Sequence, residues 1–178
     1  VGIRYSIAPA HRYPTPVRQT HAALAHLVSH AARLGIDMER VVIAGDSAGA
    51  HIAAQTANSL VSADYARLVG VTPGMDRARL VGAVLFCGPY DIATVDRSGL
   101  GGLFFAATGW AYTGRRDLTT PPEPAGFSVA RHLSPDLPPL FVSAGNGDFL
   151  LAHSRLLVAE AGRRGIRVDA LFFPDETP

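Results

Sequence analysis

The chain has 178 residues, 48% of them hydrophobic and 17% charged, which is enough apolar material for one domain with its own core and too much for a disordered or fibrous chain. Sixteen Lys and Arg stand against fifteen Asp and Glu, a formal net charge of +1, so there is no electrostatic footprint for a nucleic-acid backbone or an anionic membrane surface. The single cysteine, Cys87, excludes an internal disulfide, and no stretch reaches the roughly 18 uncharged apolar residues of a membrane span.

Val1 to Ile7 alternates and is rich in β-formers, predicting a strand that leads through Ala8-Pro9 into a loop holding Pro14 and Pro16. From Val17 the period changes: Val17, Thr20, His21, Leu24, Leu27, Val28, Ala31 and Leu34 predict an amphipathic helix that Gly35 can end. His21, His26 and His30 lie on it without an acidic or cysteine partner at metal-binding spacing, and read as ordinary surface or boundary histidines. Arg40 to Gly45 is a short apolar strand, and a helix of small residues runs from Ala48 to about Val61. After a polar, glycine-bearing connector, Leu80 to Cys87 predicts another strand, stopped by Gly88-Pro89, in which Cys87 reads as a small buried hydrophobe. Residues 91 to about 136 differ in texture. They carry several glycines, Phe104, Phe105, Trp110, Tyr112, a Pro121-Pro122-Glu123-Pro124 break and only short helical patches, which suits an insertion or lid. Leu140 to Ala144 forms the next strand, Leu150 to Arg164 a helix, and Val168 to Phe173 a last strand. Apolar strands separated by helices predict an α/β fold with a mostly parallel sheet covered on both faces, whose ligands bind at one sheet edge.

Gly45-Asp46-Ser47-Ala48-Gly49 sits between a predicted strand and a predicted helix. A serine hydroxyl needs activation to act as a nucleophile. Here the turn would push Ser47 outward, with Gly45 and Gly49 both expected where a Cβ would collide with neighbouring backbone. The Ala48 N–H, at the helix start, could then donate to an oxyanion. Asp148, in Gly145-Asn146-Gly147-Asp148 after a later strand, falls on the same edge and could hold an imidazole in the right tautomer, or cap a helix. Asp175 and Glu176 read as loop acids. None of the seven histidines is well placed as a base: His51 is one helical turn past Ser47 and reads as packing, His153 lies on the helix after Asp148, and His132 precedes a strand.

The segment Tyr5-Ser6-Ile7-Ala8-Pro9-Ala10-His11-Arg12-Tyr13-Pro14, the Asp46-Ser47 pair and the Asp148-Phe149-Leu150 start of a helix together resemble the hormone-sensitive-lipase-like family of α/β-hydrolase carboxylesterases over nearly the whole chain. Ser6 and Ala10 stand where that family usually has Arg and Glu, Ala50 where a Gly is common, and Phe149 where a proline is usual. The resemblance implies that Ser47 is the nucleophile, Asp148 orients the base, and the Ala48 amide is one oxyanion donor. It further implies a partial catalytic domain over 1–178 with a lid at about 91–136. The N-terminal strands with their glycine-rich oxyanion loop, and the C-terminal end, are expected outside this chain, and the base histidine just after Pro178. The implied reaction is hydrolysis of short-chain esters through an acyl-enzyme, with amide or lactone substrates still open and no cofactor or metal needed. The expected partner is a small-molecule ester, with no nucleic acid and no transmembrane segment, and a homodimer stays open. The expected location is the cytoplasm, because Val1 to Ile7 lacks a basic start and a long apolar core. Phe104, Phe105 and Trp110 could line a substrate pocket or pack the lid onto the sheet. The alternative is a non-catalytic small-molecule receptor, or an inactive scaffold, on the same fold.

Overall fold

The computed structural model describes residues 1–95, 98–118 and 123–174. The change of period at Val17 produces α1 (Thr15–Ser29), which has a proline in its first turn and buries Val17, Thr20, His21 and Leu24. The expected single helix to Leu34 is broken at His30 (φ −118°), and α2 (Ala31–Leu34) follows, ended by Gly35 in the left-handed region. At the break the Ser29 hydroxyl (3.0 Å) and the His30 ring (2.8 Å) join the His30 N–H (3.1 Å) in donating to the His26 carbonyl, so side chains crowd an acceptor the backbone already uses.

Strand β1 (Val41–Asp46) leads into α3 (Ala48–Val61), whose Ala50, Ala53, Ala54 and Ala57 are buried and let the helix lie close to the sheet. A second short helix, α4 (Ala63–Val69), occupies what reads as a connector. The Ser62 hydroxyl caps it by accepting from the Tyr65 N–H at 3.2 Å, and Gly70 ends it. Then come β2 (Leu80–Phe86), α5 (Gly99–Thr113), β3 (Leu140–Ala144), α6 (Leu151–Arg163) and β4 (Val168–Phe172). All strand pairs are parallel, in the order β1-β2-β3-β4. Helices cover both faces of the sheet. Leu85 and Val142 on the strands, Leu157 on α6 and Val129 make the driest part of the core. Because every strand runs the same way, the segments after β1, β2, β3 and β4 emerge along one edge.

Two expectations are corrected here. Val1 to Ile7 forms no strand; it runs beside β1 across a cleft lined by Val1, Ile3 and Tyr5 on one side and Val41 to Ala44 on the other. With no ladder beside it, the segment is held by side chains. The Ser6 N–H donates to Gln19 Oε1 at 2.8 Å and the Gln19 amide donates to the Ser6 hydroxyl at 2.9 Å. The 91–136 stretch, expected to hold only short helical patches, contains the fifteen-residue α5. Of the Pro121-Pro122-Glu123-Pro124 break, the first two prolines lie outside the described residues. Among the described residues no helix is long and apolar enough to cross a membrane.

Buried histidines fasten three helices. His21 of α1 is 2% exposed, not a surface or boundary residue, and its Nε2 is 2.7 Å from the Ser59 hydroxyl of α3. His51 of α3 donates from Nε2 to the Phe127 carbonyl at 2.8 Å. His153 of α6 accepts the Asp91 N–H at Nδ1, at 3.4 Å. Burial lowers each from the ordinary 6.5 to about 4. A histidine held neutral in the native state binds its proton first in the unfolded chain, so the stability is complete above pH 6.5 and is lost progressively as pH falls toward 4. Urea midpoints of the whole protein should therefore fall between pH 7 and pH 5, before most carboxylates titrate. A midpoint constant over that window would contradict the neutral, buried state of these rings.

Candidate functional site

The turn from β1 into α3 takes a single residue. An ideal Cβ on Gly45 would lie 2.2 Å from the Gly49 carbonyl oxygen and 2.6 Å from the Ala50 nitrogen, so only glycine lets strand and helix approach this closely. At Gly49, by contrast, a Cβ would meet nothing within 4 Å. The expectation that both glycines are crowded is corrected to one, because Gly49 lies on the helix side of the turn with its missing side chain toward open space.

Ser47 carries the reversal, with φ 54° and ψ −119°, a conformation that costs a non-glycine residue about 1–3 kcal/mol. Backbone bonds hold it there. The Ser47 N–H donates to the Phe86 carbonyl (2.9 Å), and the Ser47 carbonyl accepts from the Ala50 (3.0 Å) and His51 (3.2 Å) amides. Ser47 and Ala48 are exposed. The first N–H groups of a helix have no intrahelical acceptor, so the Ala48 amide at the start of α3 is a donor beside the Ser47 hydroxyl.

Asp148 lies on the same sheet edge, in the loop between β3 and α6. Its Oδ1 accepts the Leu150 N–H at 2.7 Å, so it stabilises the turn into α6 while staying half-buried. Between Asp46 and Asp148 stands Cys87, immediately after β2. It is only partly buried, which corrects the reading of it as a buried hydrophobe: β2 ends one residue early, and the thiol points to the edge. Its Sγ donates to Asp46 Oδ1 at 3.1 Å. Burial, and hydrogen bonds to Asp46 and Asp148, push the thiol up to about 12.

Beside Ala48 opens a cavity of about 350 Å³, bounded by Ala48, His51 and Ile52 of α3, by Phe105 and Tyr112 of α5, and by Asp91, Phe127 and His153. Of the three aromatics expected near a pocket, Phe105 lines this cavity and stacks on His153, with centroids 5.9 Å apart. Phe104 and Trp110 do not line it and are about half exposed, at 57% and 50%. Phe104 packs edge-on to Phe105 and Phe149, and Trp110 carries the Arg116 guanidinium over its ring. Asp91 forms a two-point pair with Arg131, at 2.7 and 2.6 Å. Burial pushes this carboxyl up, but the Arg131 pair and the Ala93 amide outweigh it and leave it below the usual range.

His51 and His153 direct ring nitrogens to Phe127 and Asp91 rather than to Ser47. Asp175 and Glu176 lie outside the described residues. The described residues hold no His, Cys, Asp and Glu cluster able to bind a metal ion. Sequence reasoning missed Asp91, Cys87 and Tyr112 as parts of this region. Asp91 had a usable signal, as a carboxylate following the Gly88-Pro89 stop on the ligand edge, while Tyr112 needed α5 to be seen first.

A family model described as the alpha/beta hydrolase fold matches residues 1–177. The chain is 32% identical over 150 residues to the esterase LipI of Mycobacterium tuberculosis, covering 83% of this chain and 45% of that protein. It is 30% identical over 165 residues to an acetyl esterase of Salmonella paratyphi B, covering 88% of this chain and 47% of that protein. Among solved structures, a bacterial heroin esterase superposes with a TM-score of 0.74 at 26% identity, covering 97% of this chain and 54% of that one. Esterase B from Lactobacillus rhamnosis superposes with 0.75 at 22% identity, over 97% and 54%, a likeness of fold. The chain thus spans about half the length of the curated relatives it matches.

The two glycines of the turn should respond oppositely to alanine. Gly45→Ala should lower the melting temperature sharply or prevent folding, whereas Gly49→Ala should be neutral or stabilise by up to about 1 kcal/mol, as glycine-to-alanine changes in helices do. Equal losses in both variants, read by thermal melting, would rule out the one-sided crowding.

Proposed function

Because the chain belongs to the α/β-hydrolase fold family, we propose that it carries the nucleophile and the acid of a carboxylic-ester hydrolase working through an acyl-enzyme. The observation that carries this reading is the conformation of Ser47: a non-glycine residue held at φ 54° between a parallel strand and a helix, with its side chain exposed at the ligand edge. Strain of that kind persists where function needs it. In this reading the family is the hormone-sensitive-lipase-like branch, and residues 91–136 with α5 act as the lid.

Ser47 Oγ attacks the ester carbonyl as a histidine takes its proton. The oxyanion of the tetrahedral intermediate accepts from the Ala48 N–H, at the positive end of α3. Collapse expels the alcohol, which receives the proton, and leaves Ser47 acylated; water then repeats the sequence and releases the acid. Asp148 holds the imidazole in the tautomer that faces Ser47. We place that base on a histidine outside residues 1–178, as the resemblance to the hormone-sensitive-lipase-like family implies. The cavity beside Ala48 takes one side of the substrate, with Phe105 in its wall. A short acyl group is favoured by the acetyl esterase relative.

The test uses the whole natural protein and p-nitrophenyl acetate. Ser47→Ala should abolish hydrolysis and labelling by a fluorophosphonate. Asp148→Asn should lower kcat by about 10⁴, the loss seen when a triad acid is neutralised, with the melting temperature nearly unchanged. Retained hydrolysis in Ser47→Ala would refute the esterase mechanism. Activity within a few-fold of wild type in Asp148→Asn would reduce that residue to the helix-capping role its bond to Leu150 already provides.

A further inference from the structure

Two cavities lie against α5. The first, of about 350 Å³, opens beside Ala48; the second, of about 270 Å³, lies along Gly102, Leu103 and Ala106 of the same helix. Ile92, Val95, Phe105 and Leu118 line both, so these four apolar side chains stand between the two spaces as a partition. Three of the four are held by their surroundings. Ile92 is buried in the turn Ile92–Thr94, where its N–H donates to the Ser128 hydroxyl. Val95 closes the same turn, and its branch at Cβ leaves it few rotamers. Phe105 stacks on His153 and stands edge-on to Phe104 and Phe149. Leu118 differs: it is half-buried, in neither helix nor strand, beyond the Gly114 stop of α5. Its tip rests where another side chain is missing. An ideal Cβ on Gly109 would overlap Leu118 Cδ1, and Gly109 is buried within α5, where glycine is unfavourable for a helix. Gly109 lines the first cavity and not the second, so the seat of Leu118 is on the Ala48 side of the partition.

We propose that Leu118, seated on Gly109, is a specificity-determining residue of the esterase that sets how long an alkyl chain the substrate can carry. The inference rests on the reading of Ser47 given above, in which the cavity beside Ala48 takes one side of the ester. An alkyl group in that cavity gains about fourfold in binding for each methylene it buries, until its end meets the partition. A longer chain must displace packed side chains or leave its end in water, and the gain reverses. Leu118 is the member of the partition that can be cut back without disturbing a helix, a turn or a ring stack. Shortening it joins the two spaces, and the second then receives the extra carbons.

The test assays the whole natural protein on two series, p-nitrophenyl alkanoates from acetate to dodecanoate and n-alkyl acetates from ethyl to decyl. The quantity read is kcat/KM for each ester divided by that for the shortest of its series, so a general loss of activity cancels. In the wild type this ratio should rise with chain length to an optimum and then fall. Leu118→Ala, which cuts the side chain back to Cβ, should move the optimum about two carbons longer and raise the ratio for the ester at that length about tenfold. Leu118→Val should move it in the same sense by about threefold, and carries the test if the alanine variant folds poorly. Leu118→Met, close to leucine in volume, should keep the ratio within about twofold of wild type. A shift in the alkanoates puts the acyl group in the cavity and a shift in the acetates puts the alcohol there; either supports the role of Leu118. Wild-type ratios in both series for the alanine and valine variants, or an equal rise in the methionine variant, overturn it. Ser47→Ala separates the two levels. If it is inactive while the alanine and valine variants keep the wild-type preference, only the role of Leu118 falls; if it stays active, the esterase reading falls and takes this role with it.

Discussion

The Gly49 carbonyl occupies the space that a Cβ on Gly45 would fill, and from this contact between backbones much of the rest follows. With strand and helix pressed together, the chain must reverse within one residue, and Ser47 is the residue that reverses. The approach also sets how near α3 lies to the sheet, which is why its inner positions are alanines rather than leucines. The strained dihedrals persist because the Phe86 carbonyl on one side and the Ala50 and His51 amides on the other each fix part of the turn. An exposed serine is thus held by buried backbone, and its position does not depend on its own side chain.

A second layer of order lies beneath the cavity. The Asp91–Arg131 pair joins the segment after β2 to the turn before β3. The Ser128 hydroxyl adds to it by accepting from the Ile92 N–H at 3.0 Å and donating to Glu123 at 2.8 Å. Arg131 is 44% exposed in its side chain, so solvent screens the charge and the pair contributes modestly to stability. Its consequence is geometric: residues 40 positions apart are fixed together, which holds Asp91 in its place in the cavity wall.

What was legible in the sequence was whatever a single residue type or a local period encodes. Strands β1 to β4 are mostly apolar runs bounded by breakers, and each was found to within about two residues. The turn at Ser47 was legible because its glycines flank a serine at a strand-to-helix junction. Helix α5 was not, because four glycines among its fifteen residues argue against a helix; one of them, Gly109, instead makes room for the Leu118 side chain, a tertiary fact that local propensity does not carry. Helix α4 was legible in principle from its Ser62 cap and Gly70 stop, but a seven-residue helix offers too little periodicity. The position of Cys87 depended on where β2 ends, a boundary uncertain by one residue, and one residue decides which way a strand side chain points. His21 escaped because no local pattern announces that Ser59, 38 residues on, will face it across two helices.

The cavity wall and the sheet edge are built from different parts of the chain. Ser47, Cys87 and Asp148 follow the C-terminal ends of three parallel strands whose register is tied by backbone ladders, whereas Phe105 and Tyr112 are carried by one uncharged helix that belongs to no ladder. Mutations along α5 away from Phe104 and Phe105, which pack on Phe149 beside Asp148, can therefore change the lining of the chamber while the edge keeps its spacing. That separation gives evolution, or a directed library, two nearly independent dials. Variation confined to the other positions of 99–113 would reshape the chamber at little risk to the spacing of the edge, and would be the economical first move in redesign.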